Sequence, residues 1–158
     1  MSTITDEGKK IELYIPSIMG FEKVAMECAA SIAKIMGFND DRIDDLKTAV
    51  SEACLNAIEH GHGMNASLKV GITITMAESS LQVAVHDKGG GIGQIDLPVI
   101  ENKIEDESNT RGWGIFLIKN LMDEVKFEKT AEGKNVVRMI INLKKRSEGQ
   151  GSDIPEKS

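Results

Sequence analysis

Residues 68–93, LKVGITITMAESSLQVAVHDKGGGIG, hold two alternating apolar runs, a short turn between them and a glycine-rich exit. Leu68, Val70, Ile72, Ile74 and Met76 alternate with Lys69, Gly71, Thr73 and Thr75, and Leu81, Val83 and Val85 repeat that period beyond Glu78-Ser79-Ser80. Successive strand side chains point to opposite faces, so the spacing predicts an antiparallel hairpin with one covered face. Its second strand runs through Asp87 into Lys88-Gly89-Gly90-Gly91-Ile92-Gly93. A carboxylate therefore stands where regular backbone gives way to a loop that can approach a ligand without Cβ clashes.

Upstream, Ile11, Leu13 and Ile15 alternate with Glu12 and Tyr14, a half-buried strand that Pro16 ends. Ser17 is placed to cap a helix whose stripe is Ile18, Phe21, Val24, Ala25, Cys28, Ala29, Ile32, Ile35 and Met36, closing near Gly37. Asn39 and Asp40 can cap a second helix, with Leu46, Val50, Ala53, Cys54 and Ala57 on one face until Gly61. Glu52 and Asn56 lie one turn apart on that helix, roughly 100 to 140° from the centre of its apolar face, and so flank the core.

Downstream of the hairpin, residues 94–110 show neither period and are long for a plain connection, which marks them as functional or mobile. Gly114, Leu117, Ile118, Leu121 and Met122 form a helical stripe over 112–124, followed by a strand over 125–130 and by Val137, Met139, Ile141 and Leu143 in alternation. The order is strand, two helices, two strands, glycine loop, helix, two strands, without internal repeats. It predicts an α+β fold, a two-layer sandwich in which three helices cover one face of a mostly antiparallel sheet.

A chain of 158 residues suits one domain. The expected division is a flexible N-terminus over 1–8, a folded unit over 9–143 and a disordered tail over 144–158, KKRSEGQGSDIPEKS. With 41% hydrophobic but only 4% aromatic residues, the core must be aliphatic, and eight methionines add adaptable packing. A formal net charge of −6 argues against a general nucleic-acid binder, because such affinity rests on Lys and Arg at phosphates. No apolar run approaches the ~20 residues that span a bilayer. Cys28 and Cys54 fall on apolar helix positions without metal-ligand spacing, as reduced core thiols of a cytoplasmic protein do.

Three segments can carry chemistry. On the second helix, Glu52 and Asn56 lie about 6 Å apart along the axis. The Asn56 amide oxygen can ligate a hard cation such as Mg²⁺, and Glu52 can take a proton from an attacking hydroxyl; a solvated helix flank carries the same residue types. Asp87 can accept a hydrogen bond from the exocyclic amine of adenine, with Gly89, Gly91 and Gly93 letting the backbone come close; glycine-rich turns after strands also occur as plain loops. Thr110-Arg111-Gly112-Trp113-Gly114 opens a helix, whose N–H groups and dipole suit phosphates and whose Arg111 suits the terminal phosphate; a hinge reads the same way.

Order joins them, since ExxxNAxxHG, DxGxG and RGxGI occur on a helix, a strand end and a helix start. The set resembles the ATP-binding fold shared by Hsp90, DNA gyrase, histidine kinases and MutL. Over roughly residues 8 to 143 it looks most like the anti-sigma-factor serine kinases of bacterial partner switches. The resemblance implies Glu52 as general base, Asn56 as Mg²⁺ ligand, Asp87 as adenine reader, and Gly89, Gly91 and Ile92 in the loop under the base. Thr110, Arg111, Gly112, Trp113 and Gly114 would face the phosphates, with residues 94–110 as the lid. His60 matches the first segment too, although a histidine at a helix end is more often structural.

The resemblance further implies ATP and Mg²⁺ as cofactors and transfer of the γ-phosphate to a serine or threonine of an anti-anti-sigma antagonist. It implies a sigma factor or similar regulator as the sequestered partner, no direct nucleic-acid or membrane partner, and a homodimer among the assemblies open to the chain. Two departures stand out: Gly133-Lys134 replaces the Gly-Thr pair of many relatives, and Trp113 replaces a smaller aliphatic residue. Two other readings keep the nucleotide. One is an ATP-binding anti-sigma or regulatory module without kinase chemistry; the other is the catalytic module of a split histidine kinase, against which His60, His62 and His86 lie in no separate helical dimerisation segment.

Overall fold

The computed structural model describes residues 9–61, 65–87, 110–131 and 134–143. The elements are β1 (Lys9–Pro16), α1 (Glu22–Met36), α2 (Asp40–Asn56), a π-helical turn (Ala57–Gly61), β2 (Lys69–Met76), β3 (Ser80–Asp87), α3 (Thr110–Leu121), β4 (Glu124–Lys129) and β5 (Asn135–Asn142). The strands form one sheet in the order β1-β2-β3-β5-β4, and every neighbouring pair is antiparallel.

The β2–β3 hairpin lies at the middle of this sheet. Its register runs from Met76↔Leu81 at the turn to Val70↔Asp87 at the open end, and the Ala77 N–H closes the turn on the Ser80 carbonyl at 2.9 Å. Val70, Ile72 and Ile74 of β2 and Leu81, Val83 and Val85 of β3 are buried with Ile15, Met139 and Ile141. Against them pack Ala25, Ala29 and Ala33 of α1 and Leu46, Val50, Ala53 and Cys54 of α2. Alanines on both helices keep the layer thin, so larger aliphatics of the sheet reach between them. This is the expected α+β arrangement.

Two helix ends follow their sequence signals. Gly37 stops α1 in the left-handed region at φ 98°, its N–H donating to the carbonyls of Ala33 and Lys34, and Asn39 Oδ1 accepts the Arg42 N–H at 2.9 Å. Ser17 does not cap α1. The helix starts at Glu22 with Phe21 at the cap position, while Ser17 is buried and its N–H donates to the Leu68 carbonyl at 3.1 Å. Glu22 Oε1 instead accepts the Gly20 N–H at 2.7 Å, where Gly20 turns the chain at φ 108°. Ile35, placed in the core stripe by spacing, is 81% exposed, and Phe21 and Val24 are 39% and 47% exposed. The true core face of α1 is the narrower one marked by its alanines.

A buried polar knot ties the far end of the helices to the sheet. Arg42 Nη2 donates to Asp123 Oδ2 at 2.8 Å, that same oxygen accepts the Asn142 N–H at 2.7 Å, and Arg42 Nη1 reaches Asp45 at 3.2 Å. The start of α2 is thereby fixed to the segment after α3 and to the end of β5. Among the described residues, no helix is long and apolar enough to cross a membrane. The expected terminal segments, the glycine loop beyond Asp87 and residues 94–109 lie outside the described residues.

Candidate functional site

The site grows from the way α2 is anchored. Ala49, Val50, Ala53 and Cys54 are buried, which turns Glu52 and Asn56 to the rim of the helix layer, both half-exposed. Helix α3 is anchored in turn by buried Ile115, Ile118 and Met122, and it packs against α2. That rotation brings Gly114 onto the Glu52/Asn56 face. A Cβ at position 114 would lie 2.7 Å from Glu52 Oε1, 3.5 Å from Asn56 Nδ2 and 3.7 Å from Asn56 Oδ1. The first and third sequence segments therefore meet through Gly114, the fifth residue of α3.

Electrostatics at this junction favour proton uptake by Glu52. Burial raises the affinity of its carboxyl for a proton above the ordinary glutamate value, and the negative charge of Glu59 in the π turn raises it further. A carboxylate tuned upward while still half-exposed is a better base than a freely solvated one.

Asp87 is the last residue of β3 and only 2% exposed. It lies on the helix-covered face with Val83 and Val85, and the π turn after Asn56 packs against β3. Next to it stands a residue that the sequence reading missed. Asn135 opens β5, is 6% exposed, and follows the His86↔Val136 pair by one step, which sets it at the height of Asp87 on the same face of the sheet. Two buried polar side chains thus stand side by side at the end of β3 and the start of β5. A lone asparagine at a strand start gives no signal of this in the sequence, because its neighbour on β3 is set by register alone.

His60 belongs to the π turn rather than to a regular helix end, and Thr110, Arg111 and Gly112 form the first turn of α3. Trp113 is 40% exposed, edge-on to Phe116 with ring centroids 5.5 Å apart. Gly89, Gly91 and Ile92 lie outside the described residues. What the described part offers a nucleotide is the start of α3, a side-chain-free surface where Gly114 meets Glu52 and Asn56, and a buried carboxylate at the end of the central strand. These fit a triphosphate at one end and a polar base edge at the other.

The histidine kinase-like ATPase domain family matches residues 22–141, a span that begins with α1 and runs to the penultimate residue of β5. Fold and sequence thus define an ATPase domain of the histidine kinase-like class. The chain is 35% identical over 133 residues to the serine-protein kinase RsbW of Bacillus velezensis, covering 81% of each chain. It is 33% identical over 123 residues to the serine-protein kinase RsbW of Bacillus subtilis, covering 75% of this chain and 77% of the relative. Within the histidine kinase-like ATPases, this chain belongs to the RsbW family of serine-protein kinases.

Solved structures share the fold at low identity. The RsbU and RsbW domains of a Mycobacterium tuberculosis protein superpose with a TM-score of 0.61 at 16% identity, covering 85% of this chain and 32% of that longer one. A chain of the SiaB–SiaC complex from Pseudomonas aeruginosa gives 0.59 at 12% identity, covering 83% of this chain and 88% of that one.

Proposed function

We propose that this kinase transfers the γ-phosphoryl group of ATP to a serine or threonine of an anti-anti-sigma antagonist, and in its other state sequesters a sigma factor or similar regulator. The observation that carries the reading is the junction of α2 and α3, where Gly114 opens directly onto Glu52 and Asn56.

Asn56 offers its side-chain oxygen to Mg²⁺, and the ion, when bound, supplies charge neutralisation to the phosphates. The N–H groups at the start of α3 and the Arg111 guanidinium hold phosphate oxygens. Glu52 orients the acceptor hydroxyl and takes its proton as the new O–P bond forms and the bond from the γ-phosphorus to the β,γ-bridging oxygen breaks, releasing ADP. Asp87 accepts from the adenine amine, and Asn135 lies within reach of the same edge. Residues 94–110 close over the phosphates as a lid. The chain works in the cytoplasm, on proteins rather than on nucleic acid or membrane. A second copy is the proposed occupant of the exposed apolar stretch at Ile18, Met19, Phe21 and Val24.

A carboxylate at Glu52, half-exposed beside Gly114 and of raised proton affinity, favours chemistry over a nucleotide-binding module alone. The test is a pull-down from the native cell with and without MgATP, followed by a search for phosphoserine or phosphothreonine on the captured protein. Glu52→Gln should cut transfer to that acceptor by about 10²- to 10⁴-fold while sparing ATP binding. Transfer at the normal rate in this variant removes Glu52 from the role.

A further inference from the structure

We propose that Gly114 is a positioning residue for Glu52, its missing side chain setting where the carboxylate stands relative to Asn56. This rests on the reading of Glu52 as the base.

Backbone geometry does not require glycine at this position. Gly114 is the fifth residue of α3, in ordinary helical conformation, whereas the described glycines at positive φ are Gly20 and Gly37. Glycine is also a poor helix former, so local preference opposes it. Contact explains it instead. The nearest atom to a Cβ here is Glu52 Oε1 at 2.7 Å, well inside any tolerable carbon–oxygen separation, while both terminal atoms of Asn56 stand at ordinary contact distances of 3.5 and 3.7 Å.

The clash falls on the far end of a flexible side chain, not on backbone. A methyl group at 114 can be accommodated by swinging the Glu52 carboxylate away, with the helices left in place. The consequence is specific: the fold survives, Asn56 keeps its place, and the base is displaced. A shift of about 1 Å in a reacting group is enough to cost about 10²-fold in rate. Gly114 therefore acts on the reaction through Glu52, and its contribution to phosphate binding through the α3 backbone is a separate matter.

The experiment compares wild type, Gly114→Ala, Glu52→Asp and the double variant, using the acceptor found by phosphoserine mapping. Readouts are kcat for transfer, MgATP affinity by calorimetry and the thermal midpoint. The expected result is a Gly114→Ala protein with a thermal midpoint equal to or above wild type, kcat lowered by at least 10-fold, and a loss of MgATP affinity well short of the loss of kcat. Glu52→Asp, one methylene shorter, should then cost less in the Gly114→Ala background than in wild type, because the two changes relieve one contact. Unchanged kcat in Gly114→Ala overturns the proposal. So does a loss of MgATP affinity that matches the loss of kcat, since that places the role at the phosphates. A failure of the base reading shows separately, as normal transfer by Glu52→Gln.

Discussion

Glu52 illustrates how one side chain carries opposed demands. Its folded-state proton affinity is raised, by burial first and by Glu59 second, so the fold prefers the neutral acid. That preference stabilises the protein below the ordinary glutamate value of 4.5 and is lost as pH rises through the higher folded value. The ionised form, which a base must present, therefore comes at some cost to stability. The same shift predicts the acid limb of the rate profile. Transfer should fall as pH drops through a value above 4.5, and Glu59→Gln, which removes the second cause and leaves the first, should move that limb to lower pH without abolishing it. Measuring kcat against pH in the two proteins checks this; a limb that stays put or moves upward contradicts it. The places of Glu52, Asn56 and Asp87, on a helix flank and at a strand end, were legible in sequence because each is a fixed point of a strong period. Asn135 and the Gly114–Glu52 contact were not, since both arise from register and helix rotation between segments far apart in the chain.

Among the elements, α1 departs most from its sequence reading, and the departure is informative. Spacing gave one wide apolar stripe, but the core takes only the alanine side of it with Ile32, leaving Phe21, Val24 and Ile35 in solvent and Cys28 half-buried. A helix with two apolar faces has one too many for an isolated domain. Ile18 and Met19, at 41% and 49% exposed, extend the second face toward the edge strand β1. If a second copy covers this surface, Val24→Asp should place a charge in the interface and shift the protein from dimer to monomer at micromolar concentration, with the fold intact. Sedimentation velocity with far-ultraviolet circular dichroism reads both quantities, and a variant that still sediments as the wild type does removes α1 from the interface. The hairpin of β2 and β3, by contrast, could be read from its turn and its period of two, while the order of the other strands in the sheet could not, since it rests on pairings between segments far apart in the chain. The π turn at Ala57–Gly61 could not: its residues continue the apolar pattern of α2, and only packing against β3 shows that the winding widens.

At the scale of the whole molecule, the site and the fold's polar anchor sit at opposite ends of α2. Arg42, near the start of that helix, donates to Asp123, and both side chains are only 9% exposed. Asp123 also accepts the Asn142 N–H, so one carboxylate joins α2, the turn after α3 and the last strand. Removing the guanidinium leaves that carboxylate buried without its cation, and Arg42→Ala should cost about 3–5 kcal/mol of stability, the range seen when one partner of a buried pair is lost. Replacing both partners by apolar residues of similar size, Arg42→Met with Asp123→Leu, should cost less than the single change, because no uncompensated charge remains. It should still fall below wild type by about 1–3 kcal/mol, since the Asn142 N–H then lacks its acceptor. Urea denaturation at constant m-value gives both numbers. MgATP affinity, measured well below the unfolding midpoint, should change little in either variant, because Glu52, Asn56 and Gly114 lie along α2 and α3 away from the knot. A double variant less stable than Arg42→Ala would mean that the pair contributes more than it costs to bury. An affinity loss that tracks stability would mean that the two ends of α2 move as one.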